Sequence, residues 1–451
     1  METIVHRGSN EVGGNCVEVR TGSTRIIIDV GMPLFGENRQ PHDLGKLKRL
    51  SAAELRSVGI LLEIPGLFEL DRSRDETHTV AAIDAILLSH AHQDHTGLLP
   101  FTRPEIPVYG TSGTSKMMLA GSIFANQVSV PRDRYHTLDK DGKLRIGDIE
   151  ITPIAVDHSI YGSVAYLLEA DGERIIYSGD LRMHGRKPGM MHDLVASMKF
   201  KEIDVLLMEG THFGFPDGQK ETEYDVEAQI TKLIGEAPEL VLASFSPQNV
   251  DRLVAFIRAA IKTKRILVVD VYTAFVMHLI RNEIGLPQPG QDECVRIFYP
   301  KAFENSVERK RLQKISDLFI ESRIEWSDVF ADPSKYLMVF RPSMLRMDFE
   351  NQLPKKTLCL YSRWKGYLEQ PEWLDTRKAV EQSGGIIEVV HTSGHIFSED
   401  IIGFVKSIAP KRVVPIHTFE PHLFCEQFEN AWPLQDGEAC DHAVVRRCLQ
   451  S

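Results

Sequence analysis

The chain has no paired CxxC. Its six cysteines, at 16, 294, 359, 425, 440 and 448, are scattered through 451 residues. That spacing argues against a disulfide framework or a cysteine-built zinc site and suits a reducing cytoplasm. No apolar run approaches the ~20 residues of a membrane span. The N-terminus METIVHRGSNEVGGNC holds no apolar core of signal-peptide length. The chain therefore reads as a cytoplasmic protein without a membrane partner. Basic residues are in the minority, and the net charge of -11 excludes a surface that binds nucleic acid as a whole. Any polyanion site must then be local, with metal assistance open to it. Repeats and low-complexity tracts are absent as well.

With 43% hydrophobic and 25% charged residues, this is an ordinary globular composition, long enough for two or three domains. Residues 25–30 (RIIIDV), 86–89 (ILLS), 149–156 (IEITPIAV), 163–169, 174–178 (RIIYS) and 203–208 (IDVLLM) are short, β-branched and bounded by turn residues, so they predict strands. EADGER at 169–174 carries the Asp-Gly signal of a hairpin. After Glu209 the texture changes. Val226, Ile230, Leu233 and Ile234, then Leu253, Phe256, Ile257, Ala260 and Ile261, fall at helical spacing, and ILVVDVY at 266–272 reads as a buried strand. We expect a separate α/β lobe over 215–355, with residues 1–214 and 356–451 forming the other domain, because TLCLYS, IIEVV and RVVPIH look like a return to it. LSAAEL at 50–55 predicts a capped helix start. The rest of 31–83 is hard to assign.

The strongest local signal is SHAHQDHTG at 89–97, directly after the apolar AILLS. His90, His92, Asp94 and His95 crowd six positions at one strand end. Residues i and i+2 of a strand share a face, so His90 and His92 can point at one ion. After the chain turns, Asp94 and His95 can reach a second. Zinc takes three or four nitrogen or oxygen ligands, so this cluster starts two shells and completes neither. Further donors stand straight after other predicted strands: Asp29, His158, Asp180 and His417.

HAHQDHTG resembles the signature of the metallo-β-lactamase fold, and Asp29, His158 and Asp180 supply its other early motifs in order. MEGTHF resembles the acidic motif of the β-CASP nucleases. HTSGH at 391–395 and PIHTFE at 415–420 are similar to their histidine motifs, most of all in the ribonuclease J group. The resemblance implies an α/β chain, a metallo-β-lactamase αββα sandwich with an inserted α/β β-CASP domain. It implies two Zn²⁺ per chain, with Mn²⁺ able to substitute. His90, His92 and His158 would hold the first ion and Asp94, His95 and His417 the second, with Asp180 bridging. Asp29 would orient a histidine. Glu209 would pair with His395, and Thr392, Ser393 and Gly394 would cradle a substrate phosphate with hydroxyls and backbone N–H groups. RNA is the implied substrate. A DNA nuclease of the same fold and a small-molecule metallo-hydrolase are the alternatives, and a homodimer stays open. The chain departs from the group in four places. FRPSMLRMDF at 340–349 replaces a Gly/Ser-rich loop, PIHTFE replaces PVHGE, the long segment 31–83 is unusual, and the group's extra C-terminal domain is not expected.

Other candidates are weaker. His278, in an apolar helix, reads as structural. His184, His212 and His391 lie near motifs without a ligand pattern. ERKRLQK at 308–314 reads as a solvated helix face. Arg341, Arg346, Arg363 and Lys365 are the better candidates for phosphate contacts. Trp364 and Tyr367 read as core aromatics that could alternatively stack a base.

Overall fold

The structure is a computed structural model that describes all residues except 37, 72–81, 140–141, 199–200, 215–219, 291, 293 and 442–451. Part of the unassigned 31–83 stretch and Cys448 therefore lie outside the described residues. The chain divides into two compact units. One comprises Met1–Met183, Lys187–Gln219 and Gly394–Ser451, and the other comprises His184–Arg186 and Lys220–Ser393.

The first unit holds two facing sheets. In one, β1 (Glu2–Arg7), β2 (Cys16–Arg20) and β3 (Arg25–Ile28) run antiparallel, and β4 (Ala85–Leu87), β5 (Val108–Thr111) and β6 (Tyr135–Leu138) continue in parallel. The other contains β7 (Leu144–Ile146), β8 (Ile149–Ala155), β9 (Val164–Ala170), β10 (Glu173–Tyr177) and β11 (Val205–Glu209). Strand alternation makes this sheet two-sided. Val164, Tyr166 and Leu168 turn toward Val17, Ile26 and Leu87 of the first sheet. Ala165 and Leu167 turn the opposite way, onto Met191 and Leu194 of the helix Pro188–Met198 and Ile401 and Phe404 of the helix Ser398–Ile408. The helix Ser112–Phe124 lies against β5 and β6, which completes the expected αββα layering. The Asp-Gly hairpin forms between β9 and β10. Asp171 and Gly172 both take positive φ, 53° and 73°, as a two-residue turn matched to strand twist requires. Ser51 opens a short helix, Ala52–Ser57, with a full capping box to Glu54.

The second unit is a parallel sheet of β12 (Val241–Ser244), β13 (Ile266–Asp270), β14 (Val295–Phe298), β15 (Arg323–Ile324), β16 (Tyr336–Val339), β17 (Leu358–Tyr361) and β18 (Ile386–Val389), in the order β15-β14-β13-β16-β12-β17-β18. The helix Val250–Thr263 buries Leu253, Phe256, Ile257 and Ala260, leaves Ile261 exposed, and ends at Lys264 in the left-handed region.

Here the expected boundary needs correction. TLCLYS and IIEVV do not return to the first unit. They are β17 and β18, with Leu358 paired to Val241 and Ile386 to Leu358. The second unit runs to Ser393 rather than 355. A short β-branched strand carries no mark of which sheet it will join, because partner choice is settled by packing. RVVPIH does return. It is β19 (Arg412–Ile416), parallel to β11. β20 (Ala439–Asp441) closes the far edge beside β1.

Candidate metal centre

The chain leaves β3, β4, β8, β10, β11 and β19 of the first unit through Asp29, His90, His158, Asp180, Glu209 and His417 in turn. Those strand ends bring two donor sets together: His90, His92, His158 and Asp180, and Asp94, His95, Asp180 and His417. In the first, His90 Nε2 is 3.1 Å from His92 Nδ1, which is 3.2 Å from His158 Nε2. Asp180 Oδ2 lies 3.6 Å from His90 Nε2 and 3.9 Å from His158 Nε2. In the second, His95 Nε2 is 3.2 Å from the same Asp180 Oδ2, and His417 Nε2 is 3.3 Å from Asp94 Oδ2. Donors held tetrahedrally at zinc distances sit about 3.3 Å apart, so both sets suit a divalent ion. The buried polar atoms agree. Both Asp180 carboxylate oxygens and His95 Nε2 are buried without a hydrogen-bond partner among the described residues, an arrangement that is costly unless something else satisfies them.

The opposite ring nitrogens are occupied, which aims the rings. His158 Nδ1 donates to Gly394 O at 2.6 Å. His95 Nδ1 donates to Asp29 Oδ2 at 2.8 Å. That carboxylate also accepts from the Tyr177 hydroxyl and from the backbone N–H and hydroxyl of Ser89, whose Oγ lies 3.0 Å from His90 Nδ1. Asp29 thus touches no other donor of the two sets, yet it orients His95 directly and His90 through Ser89. It sits at φ 60°, and His417 at φ 51°. Two non-glycine residues in the left-handed region are a strain that persists where surrounding contacts impose it.

Electrostatics separate the two sets. Burial holds the pKa values of His90 and His158 well below that of an ordinary imidazole and pushes His92 down to about 4, so these three are neutral donors at pH 7. Burial also opposes the charged form of His95, but the Asp180 and Asp29 carboxylates outweigh it and hold its pKa well above the usual value. Burial raises Asp180, whereas the charges of His417, His95 and His395 hold it well below the carboxylate range.

Beside these sets lies a third group. His395 Nδ1 is 3.1 Å from Glu209 Oε2, and Glu209 Oε1 accepts from Leu181 N. Burial lowers the pKa of His395, but Glu209 and Asp180 override it and raise it to about 9. The residue that sequence reasoning missed is Thr211. Its hydroxyl donates to Glu209 Oε2 at 2.8 Å and lies 2.8 Å from His417 Nδ1 and 3.2 Å from His395 Nδ1. It stands in MEGTHF two residues after Glu209, where a strand-end threonine carries no distinguishing signal.

The 392–394 segment, expected to cradle a phosphate, also makes contacts within its own surroundings. Thr392 is nearly buried and its hydroxyl is spent on Glu221 O. Ser393 and Gly394 act through their carbonyls, on His184 Nε2 and His158 Nδ1. His184, His212, His278 and His391 join neither donor set. Arg341 is tied to Asp270 at 2.6 Å and lies over Tyr272.

Comparison with known proteins places these features in context. Residues 64–218 match the β-lactamase superfamily domain. An RNase J-like protein of Methanocaldococcus jannaschii is 24% identical over 282 residues, 59% of this chain and 57% of that protein. Ribonuclease J of Helicobacter pylori is 27% identical over 263 residues, 57% of this chain and 34% of its own length. Ribonuclease J of Mycolicibacterium smegmatis is 23% identical over 428 residues, 92% of this chain and 68% of that protein. The chain thus spans well under two thirds of the first two relatives. A crystal structure of a protein of unknown function from Enterococcus faecalis V583 shares the fold, with a TM-score of 0.76 over 97% of this chain and 99% of that one at 23% identity.

Proposed function

We propose that this chain, whose residues 64–218 match the β-lactamase superfamily domain and which is similar to a ribonuclease J along most of its length, is a metal-dependent ribonuclease that hydrolyses RNA phosphodiester bonds. The observation that carries the reading is one carboxylate oxygen, Asp180 Oδ2, facing both histidine sets, with the Glu209–His395 pair alongside. His90, His92 and His158 would hold one Zn²⁺, Asp94, His95 and His417 would hold the other, and Asp180 would serve both. Mn²⁺ is an admissible substitute for nitrogen and carboxylate donors. Ions at these donors would supply Lewis-acid polarisation of the phosphate and lower the pKa of a nearby water.

The protein supplies the rest. Asp29, Gly394 O and Thr211 fix the ring orientations, so the donor atoms need little rearrangement. A leaving 3′-oxygen needs a proton. His395, whose Nδ1 is held by Glu209 at 3.1 Å, gives it as general acid. Glu209 holds the ring and stabilises its charged form. A hydrolase of activated small esters would not need that pair, which favours a phosphodiester with a poor leaving group. The fold alone would not decide this. No helix among the described residues is long and apolar enough to cross a membrane, and the described cysteines are free. We assign the activity to the cytoplasm on that cysteine usage.

The test is digestion of end-labelled RNA bearing a 5′-monophosphate, 5′-triphosphate or 5′-hydroxyl, beside DNA of the same sequence, with Zn²⁺ or Mn²⁺ and after chelation. RNA cleavage that disappears with the metal is the expected result, and the ladder reports direction and end preference. Equal or faster cleavage of DNA, or RNA left intact in both metals, overturns the reading.

A further inference from the structure

Every strand of the second unit's sheet is parallel, so all their carboxyl ends lie along one edge. From β12 the chain winds outward through β13, β14 and β15 on one side and later through β17 and β18 on the other. Open parallel sheets take ligands at the carboxyl edge, where the winding reverses. The stretch SRWKGY, 362–367, leaves β17 on that edge, next to β12.

Two aromatics of this stretch are in the open. Trp364 is 49% exposed and Tyr367 is 37% exposed, contrary to the core role expected for them. Trp373, by contrast, is 1% exposed, and Trp326 and Trp432 pack against hydrophobic cores. Trp364 is also held in place. Its carbonyl accepts from the Tyr361 hydroxyl at 2.9 Å. Its indole lies on Gly366, where a Cβ would come within 2.2 Å of the ring. The Tyr367 ring meets it edge-on at 5.2 Å and 86°. Arg363 stacks over Tyr367 at 5.3 Å. Among the described residues no carboxylate pairs with Arg363 or Lys365, and the neighbouring Glu369 is directed to Arg377. In a chain of net charge -11, two uncompensated cations beside a fixed, half-exposed indole match one partner chemistry. A nucleobase offers a π-face to the ring and its phosphates meet the cations. A duplex is a poor fit because its bases are stacked on one another.

We propose that Trp364, seated on Gly366 and flanked by Arg363, Lys365 and Tyr367, is a stacking platform for one base of single-stranded RNA. The inference rests on the ribonuclease reading, since it assigns a contact to that substrate. The platform is indifferent to base identity, because all four bases present a π-face, and it uses none of the metal-binding side chains.

Fluorescence titration of the full-length, metal-loaded protein with a phosphorothioate RNA 12-mer tests it. The wild type should show tryptophan quenching on binding. Trp364→Ala should lose that quenching and bind roughly 5- to 150-fold more weakly, the range for removing one base–aromatic stack. Trp364→Phe should keep most of the affinity without the quenching. Gly366→Ala, which displaces the indole, should bind more weakly than the wild type. A fully abasic strand should bind the wild type and Trp364→Ala alike. A Trp364→Ala affinity within two-fold of wild type, or abasic and normal strands bound equally by the wild type, overturns the platform. Those outcomes leave the ribonuclease reading standing if the wild type still cleaves ordinary RNA. A wild type that neither binds nor cleaves RNA, yet hydrolyses bis(p-nitrophenyl) phosphate in Mn²⁺, overturns both.

Discussion

The Thr211 hydroxyl lies 2.8 Å from His417 Nδ1 and 2.8 Å from Glu209 Oε2. It has one proton, and an ionised carboxylate only accepts. Thr211 therefore donates to Glu209 and accepts from His417 Nδ1–H, which aims Nε2 of the same ring at Asp94. One hydroxyl ties a candidate metal ligand to the partner of the candidate acid. Replacing it with an isosteric methyl, Thr211→Val, should weaken retention of one of two ions about 10- to 100-fold, as loss of such supporting contacts does. Thr211→Ser should restore it. Chelator competition followed by elemental analysis checks both, and equal retention by the valine variant would sink the role.

His395 and His417 should separate cleanly. His395→Ala is expected to keep both ions and lose about 10²- to 10⁴-fold in RNA cleavage rate. Much less should be lost on bis(p-nitrophenyl) phosphate, whose leaving group needs no proton. Glu209→Gln should follow it. His417→Ala should instead lose one ion and fail on both substrates. If His395→Ala sheds metal as His417→Ala does, His395 is a ligand and not the acid.

Asp29 makes four contacts from a fully buried position. Asp29→Asn keeps the shape and tolerates the left-handed backbone, but its amide cannot accept from every donor around it. The expected result is a folded protein with metal affinity lowered about 10- to 100-fold, read by competition with a fluorescent zinc chelator. Unchanged affinity would mean that His95 is oriented without Asp29.

Glu18 gives a pH dependence away from the metal centre. Burial raises its pKa, but hydrogen bonds from His6 at 2.9 Å and Arg25 at 2.8 Å bring it down to about 2 from 4.5. The folded value lies below the unfolded one, so this stabilisation is fully present above about pH 4.5 and is lost as the pH falls through about 2. It is on the order of 3 kcal/mol. Glu18→Gln should lower the urea midpoint at pH 7 and flatten its decline between pH 4.5 and 3. A decline as steep as that of wild type would assign it to other carboxylates.

How much of this was legible in the sequence varied with how local each signal was. His90, His92, Asp94 and His95 announce themselves because four donors share six positions, and Asp180 and His417 because each follows an apolar strand. The sheet to which 358–361 belongs was not legible, since the Val241–Leu358 pairing joins strands more than a hundred residues apart. Thr211 was invisible for a similar reason. Its role exists only once His395 and His417 arrive from far along the chain. Trp364 was misread because composition assigns aromatics to cores, and only the fit of the indole against Gly366 explains its exposure.

The first unit is discontinuous, and its halves carry different chemistry. His90, His92, Asp94, His95, His158 and Asp180 all precede residue 219, whereas His395 and His417 follow residue 393. On the ribosome, at about 5–20 residues per second, the 174 codons for residues 220–393 between the two halves take on the order of 9–35 s to translate. Throughout that interval the nascent chain holds one donor set without the means to complete the other, and β11 waits for β19. His417 thus completes the second donor set only after every strand of the second unit has been translated.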